Sequence, residues 1–224
     1  VELIMEKIKI LDCTLRDGGY YNNWHFTNDL INEYLKVMDV INIDYVEIGF
    51  RFIDKLKTKG PCAYTEENFL KKLKIPKNLK IGVMINAADF INSKNIISLA
   101  QKNFKPKKNS LISLVRIACH YNEVEDVLPL VNWLKKSGYK VGINIMQIPE
   151  LSFNNIKNVV VLIKKVKVDI LYFADSLGSL DAQKTNKIIK NIRLFWKGPM
   201  GIHTHDNMGK ALENSIAATK NSVQ

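Results

Sequence analysis

The stretch KIKILDCTLRDGGYYNNW, residues 7–24, decides between two folds for this chain. It begins as an apolar strand and continues into Arg16, Asp17, Gly18 and Gly19. An open nucleotide-binding sheet usually carries GxGxxG or a P-loop after its first strand, and neither pattern is present here. Since strands and helices alternate along the rest of the chain, the sequence favours a parallel (β/α)₈ TIM barrel.

Hydrophobic periodicity predicts seven βα units. Strands are expected over residues 7–15, 45–50, 79–85, 111–119, 139–148, 169–176 and 199–206. Helices are expected over 27–42, 65–73, 88–102, 123–138, 152–166 and 181–196, with a last helix ending near 220. Thr27 and Ser152 are predicted N-caps, and Asn122 with Glu125 is a predicted capping box.

A TIM barrel has eight βα units, and the sequence predicts seven. A barrel of seven strands would leave the first and last strands with unpaired edges, which favours association or instability. We therefore expect residues 1–224 to form one TIM-barrel domain that is incomplete at its C-terminal end, as in a fragment of a longer protein.

Composition narrows the class of protein. Of the 224 residues, 46% are hydrophobic, which is enough for a sizeable core, and no apolar run is long enough to cross a membrane. Three widely spaced cysteines favour a reducing, cytoplasmic location. The net charge is +11, but only four of the 33 basic residues are arginines and the lysines lack interleaved aromatic residues. We expect neither nucleic acid nor a membrane as partner.

Polar side chains collect where the strands end, which is where the active sites of barrels lie. Because alternate residues of a strand share a face, Glu47 and Arg51 are predicted to lie in phase, as are Arg116 and His120. The remaining candidates at strand ends are Arg16, Asp17, Asn144, Gln147, Asp175 and Ser176.

Among these candidates, His203 and His205 are the pair that most clearly indicates a metal site. They are two residues apart on an apolar strand, so both imidazoles should project the same way. With Asp17 as a third ligand they would form a catalytic site for a divalent metal. The alternative is a pair of hydrogen-bonded histidines. Arg16 could bind a carboxylate or an enolate oxygen, or could form an ion pair with Glu47 or Asp175.

The segments TLRDGG and GIHTHDNMGKAL together resemble those of the DRE-TIM metallolyase superfamily, which includes hydroxymethylglutaryl-CoA lyase. The segments EIGFR, INIMQI and ADSLGSL fall where such enzymes carry similar sequences, so the resemblance spans nearly the whole chain. LDCTLRDGGYYNNW resembles in particular the 4-hydroxy-2-oxovalerate aldolase-like branch.

The resemblance implies a metal-dependent aldolase or lyase that works through an enolate of pyruvate or a similar 2-oxo acid. Asp17, His203 and His205 would bind Mn²⁺ or Mg²⁺, and Arg16 would stabilise the enolate. Glu47 and Asp175 match acidic residues that line the lyase pocket. Arg116 and Asn144 are candidates for substrate binding, and the partner of the 2-oxo acid would be an aldehyde.

The chain departs from the family in two ways. The aldolases carry a basic histidine three residues after the aspartate of the motif, whereas this chain has Tyr20; Tyr20, Tyr21 or His25 could replace it. The family also has an eighth strand with a glycine-rich loop, and the lyases take a cysteine and a further metal ligand from that region.

Two other functions stay open at this point. One is a Claisen-type condensing enzyme that acts on an acyl thioester, of the isopropylmalate or homocitrate synthase kind. The other is a non-catalytic barrel that binds metal as a subunit of an assembly. A homo-oligomer is compatible with each of these functions and with the aldolase or lyase.

Overall fold

The computed structural model describes residues 8–221 and residue 223. Seven parallel strands form one sheet, and each is hydrogen-bonded to the strand that follows it in the chain. The strands are β1 (Leu11–Asp12), β2 (Tyr45–Phe50), β3 (Lys80–Asn86), β4 (Ile112–Cys119), β5 (Lys140–Ile145), β6 (Ile170–Asp175) and β7 (Met200–Thr204). This sequential order is that of a (β/α) barrel, because a doubly wound sheet reverses its strand order at a switch point.

Helices separate the strands. They are α1 (Thr14–Asn22), α2 (Asn28–Val40), α3 (Glu67–Leu70), α4 (Ala87–Ile91), α5 (Ile96–Asn103), α6 (Val124–Lys136), α7 (Phe153–Ile163), α8 (Ala182–Arg193) and α9 (Ala211–Thr219). Within residues 8–221, no helix is both long and apolar enough to cross a membrane. The predicted caps Thr27 and Ser152 are confirmed, since their side chains accept from the backbone N–H groups of Leu30 and Asn155.

The chain divides into two compact units. The first contains Lys9–Ile117 and Trp133–Val141, and the second contains Ala118–Asn132 and the chain from Gly142 onward. The core of the first unit includes the whole of β2, in which every residue is buried. In the second unit β6 pairs with β7, and Tyr172 lies opposite Gly201. A Cβ atom at Gly201 would lie 2.3 Å from the Tyr172 ring, so this pairing requires glycine.

The first predicted strand, 7–15, is mostly wrong. Residue 7 lies outside the described residues, β1 covers only Leu11–Asp12, and α1 begins at Thr14. The Asp12 carboxylate accepts from both the backbone N–H and the hydroxyl of Thr14, each at 3.0 Å. This Asx turn bends the backbone after Asp12, so the chain enters a helix, whose N-cap residue is Cys13, in place of further strand. Arg16 and Asp17 consequently lie on a helix and not at a strand end.

Two further predictions about helices are wrong. The helix expected over 88–102 is divided into α4 and α5, because Asn95 accepts from the N–H of Ser98 at 2.9 Å and starts a new helix. The predicted capping box of Asn122 and Glu125 is formed instead by His120 and Glu123. A 3₁₀ turn over Tyr121–Glu123 precedes α6, and Glu123 accepts from the N–H of His120 at 2.8 Å.

Strand β2 contains a bulge. Opposite β3, Glu47 pairs with Gly82 and Gly49 pairs with Val83, so Ile48 is an extra residue. A Cβ atom at Gly49 would lie 1.8 Å from the carbonyl oxygen of Cys62, so glycine is required there. One extra residue reverses the alternation of faces along the rest of the strand. The bulge therefore changes which residues β2 presents to the site.

Candidate active site

Arg16 is held in the first turn of α1 by two carboxylates. Its side chain is buried, its Nε donates to Glu47 Oε1 at 2.8 Å, and its Nη1 donates to Asp17 Oδ1. Among the described residues, Nη2 of Arg16 has no hydrogen-bond acceptor. Burial lowers the pKa of Arg16, but the charges of Glu47 and Asp17 outweigh burial and raise this pKa above its usual value. Arg16 therefore keeps its charge and has one donor group unused.

Glu47 is a buried carboxylate shared by two arginines. It is fully buried, and Arg116 Nη1 lies 3.2 Å from each of its oxygens while Arg16 bonds Oε1. Arg116 is itself buried. The two arginines thus face two carboxylates, the buried Glu47 and the part-exposed Asp17, which pairs with Arg16. These charges balance, and Nη2 of Arg16 is a buried donor that an oxygen of a ligand could use.

Arg51 does not join this cluster, so its predicted phase with Glu47 is wrong. It donates instead to the backbone carbonyls of Asn103 and Thr65 and lies 3.6 Å from Glu67. The bulge at Ile48 is the physical reason, because it puts Glu47 and Arg51 on different sides of β2.

Cys13 contacts Asp17, and the sequence analysis did not predict this contact. Its Sγ donates to Asp17 Oδ2 at 3.3 Å. Burial raises the pKa of Cys13 to about 12, so the group is a thiol and a donor at neutral pH. The four-residue spacing of Cys13 and Asp17 would have indicated the contact only if the segment had been assigned to a helix.

Tyr20 lies beside Arg16, whereas His25 bonds elsewhere. The ring of Tyr20 packs edge-on against Phe50 at 6.0 Å, and the Arg16 guanidinium lies 5.7 Å from the centre of that same Phe50 ring. Tyr20 is 63% exposed, and burial of the rest of the side chain raises its pKa. His25 is exposed, and its Nε2 bonds the carbonyl oxygen of Thr58 at 3.1 Å.

In the second unit, His203 and His205 point their imidazoles at one another. Their Nε2 atoms are 3.0 Å apart, which is a hydrogen bond of the kind that the alternative of two hydrogen-bonded histidines predicts, and Nδ1 of His205 lies 3.0 Å from the carbonyl oxygen of Ser176. Because a carbonyl oxygen only accepts, Nδ1 of His205 carries the proton and its Nε2 presents a lone pair.

This arrangement fits a divalent metal. Two ligand atoms about 2.1 Å from an ion and at right angles to each other are about 3.0 Å apart, as the two Nε2 atoms are. Metal-binding histidines usually donate their second N–H to a carbonyl or carboxylate, which is the role of Ser176 here. Sequence reasoning placed Ser176 at a strand end, but could not show that its backbone oxygen orients His205.

Asp175 anchors the loop that follows β6. Its side chain is fully buried, and its two oxygens accept from the backbone N–H groups of Ser179 and Leu180 at 2.9 and 3.0 Å. Asn144 is also buried, on β5. Gln147 lies beyond the end of β5 and donates its N–H to the hydroxyl of Ser176. These bonds fix the segment that carries the carbonyl of Ser176.

Known proteins resemble this chain over most of its length. A 4-hydroxy-2-oxovalerate aldolase from Carboxydothermus hydrogenoformans is 28% identical over 95% of the chain and 62% of its own length. An oxaloacetate decarboxylase from Mycobacterium tuberculosis is 24% identical over 93% of the chain and 60% of its own length. The chain thus spans about three fifths of these curated relatives.

A solved structure and a family profile agree with these relatives. The N-terminal domain of a candidate aldolase from Bacteroides vulgatus is 30% identical, with a TM-score of 0.80 over 96% of this chain and 70% of the solved one. The profile of the family described as HMGL-like matches residues 109–224, which is more than half of the chain. This chain therefore belongs to the HMGL-like family.

Proposed function

We propose that this chain is the catalytic part of a divalent-metal-dependent carbon–carbon lyase that acts on a 2-oxo acid. The observation that carries the proposal is the His203–His205 pair, whose Nε2 atoms converge while Ser176 fixes the tautomer of His205. The names of two relatives add the substrate class, because 4-hydroxy-2-oxovalerate and oxaloacetate are both 2-oxo acids. Each of them leaves the enolate of pyruvate when the bond beyond its third carbon breaks.

The proposed metal ligands are Asp17, His203 and His205. Two imidazoles and one carboxylate suit Mn²⁺, and Mg²⁺ is the alternative. When bound, the ion acts as a Lewis acid on the oxygens of the substrate. The cytoplasm is the proposed location, since sparse cysteines favour a reducing compartment.

Arg16 is the proposed stabiliser of the enolate. Its Nη2 is a buried donor with no acceptor in the described part of the chain, while Glu47 and Asp17 hold the rest of the guanidinium. A donor fixed before the reaction can stabilise an oxygen as it gains negative charge, because no reorganisation is then needed. Arg116 and Asn144 stay predictions for substrate binding. The bonds of Glu47 and Asp175 favour positioning roles for both.

Tyr20 is the proposed proton donor. Its phenol O–H can deliver a proton to a basic centre such as an enolate carbon, and burial raises its pKa, which makes it a weaker acid than a free tyrosine. It shares the Phe50 ring with Arg16, whereas Nε2 of His25 is bonded to the carbonyl of Thr58. His25 therefore becomes the second candidate for this role.

Exchange of the methyl protons of pyruvate tests the proposed function. In deuterated buffer with Mn²⁺ we expect these protons to exchange with deuterium, and NMR measures the exchange after the ion is removed. We expect no exchange in protein that has been treated with a chelator. Circular dichroism verifies that both samples are folded. If the folded, Mn²⁺-loaded protein shows no exchange, the 2-oxo acid lyase is excluded, and the thioester and non-catalytic alternatives gain weight.

Replacing Tyr20 by phenylalanine should slow this exchange about 100-fold or more, because general acid–base catalysis typically contributes about 10²–10⁴. The matched control is Tyr21→Phe, since Tyr21 is also a candidate from the sequence but is 95% exposed. Equal exchange rates for the two variants would remove Tyr20 from the mechanism and would favour His25, which His25→Gln then tests.

A further inference from the structure

A second polar cavity lies in the first unit, on the side of β2 to which the bulge turns Arg51. Its volume is about 330 Å³, and Arg51 and Phe104 line it together with residues of α3 and α5. This volume is at the lower end of the range for small-molecule sites. This cavity is not lined by Arg16, Asp17, Tyr20 or Glu47. It is therefore separate from the residues of the proposed active site.

Arg51 is the buried cation of this cavity. Its exposure is 5%, Nη1 donates to the carbonyl of Asn103 at 2.7 Å, and the guanidinium lies 4.9 Å from the centre of the Phe104 ring. Its Nε has no hydrogen-bond acceptor among the residues that the structure describes. Burial lowers the pKa of Arg51 even though Glu67 lies 3.6 Å away. The countercharge of Glu67 thus compensates the burial of Arg51 only in part.

The charges that line the cavity do not balance. The lining contains four cations and two carboxylates: Arg51, Lys55, Lys102 and Lys105 with Glu66 and Glu67. Lys55 pairs with Glu66, and Glu67 faces Arg51 while it accepts from the Ser110 hydroxyl and the Leu111 N–H. Two positive charges at the rim, those of Lys102 and Lys105, therefore have no carboxylate to match them within the lining.

We propose that this cavity binds a small dianion, either a phosphate group or a dicarboxylate. Two unmatched lysines supply the charge, and a buried arginine with an unused N–H supplies a directional donor. The side chains of Asn68 and Gln101 also line the cavity and can donate to further oxygens of such a ligand.

Titration calorimetry with inorganic phosphate and with succinate tests the proposal. The buffer contains a chelator, so that a metal ion does not account for binding. Sodium chloride keeps the ionic strength constant, so that differences in screening do not account for differences in affinity. We expect one saturable site per chain. The double variant Lys102→Gln/Lys105→Gln should bind at least tenfold more weakly, and it should keep its pyruvate exchange activity because neither lysine belongs to the proposed active site.

The matched control is Lys71→Gln/Lys72→Gln, which removes the same charge from exposed lysines outside the cavity. Its affinity should equal that of the unmodified protein. Tighter binding of phosphate supports a phosphate-bearing ligand, and tighter binding of succinate supports a dicarboxylate. Binding that does not saturate, or that weakens equally in both double variants, would reflect net charge alone and would overturn the proposal.

Discussion

Replacing Glu47 by glutamine is expected to lower the free energy of unfolding by about 3–5 kcal/mol, the range found when one partner of a buried ion pair is removed. Glu47 is fully buried and bonds both Arg16 and Arg116. Glutamine keeps the shape and one acceptor oxygen but removes the charge. Arg116 would then stay buried without the charge of Glu47, and Arg16 would keep the carboxylate of Asp17.

Chemical denaturation with urea, followed by circular dichroism, measures this change. Glu66→Gln serves as the control, because it breaks an ion pair with Lys55 in which both side chains are more than half exposed. Exposed pairs contribute about 0–1 kcal/mol, so the control should unfold almost like the original chain. If Glu47→Gln also stays within about 1 kcal/mol of the original, Glu47 does not compensate the two arginines in the way described.

Replacing Arg16 by lysine is expected to slow pyruvate exchange by about 10²–10³, the usual effect of removing one preorganised donor from a developing oxyanion. Lysine keeps a positive charge near Glu47, so the buried charges stay balanced. Its three N–H donors share one nitrogen, however, so they cannot occupy the separate positions from which Nε, Nη1 and Nη2 of Arg16 face Glu47, Asp17 and the substrate. The loss should appear in the rate at saturating pyruvate.

Arg193→Lys is the matched control, because Arg193 bonds the carbonyl of Gly198 and is not a candidate site residue. It should exchange pyruvate protons at the original rate. The urea midpoints of both variants show whether any loss comes from unfolding. An Arg16→Lys variant that is folded and fully active would show that Nη2 of Arg16 is not needed for the enolate.

Local patterns predicted most of the fold. The strand at residues 45–50 and the cap at Thr27 match the structure, because an apolar run and a hydroxyl before a helix act over a few neighbouring residues. The order of the strands follows from the strict alternation of strands and helices.

Competition between local side chains accounts for the errors. Asp12 ends β1 and bonds Thr14 at the start of α1, and Asn95 starts a new helix inside a region with helical periodicity. In each case a short polar side chain bonds the backbone more favourably than the periodic pattern implies. Gly49 is the one neighbouring residue that could have indicated the bulge at Ile48. Glycine is required at position 49 because of the carbonyl of Cys62, and that contact cannot be read from the local sequence.

The site was predictable in part. The spacing of His203 and His205 predicted that their side chains share one direction, and their 3.0 Å contact agrees with this. The order of Glu47 and Arg51 did not reveal that they serve different clusters, because the bulge lies between them. The difference between Tyr20 and His25 depends on contacts with Phe50 and Thr58, which lie far along the chain.

The bulge in β2 also limits how this segment can be edited. Deleting Ile48 would leave Arg51 three residues after Glu47, and regular alternation would keep the two side chains on opposite sides of the strand. Removing the bulge while keeping every residue has the opposite effect, because Glu47 and Arg51 would then lie four residues apart in a regular strand and share a face. Arg51 would face the side that already holds Arg16 and Arg116, and three guanidiniums would share the carboxylates of Glu47 and Asp17. Transplanting this strand into another barrel therefore requires its irregular register as well as its residues.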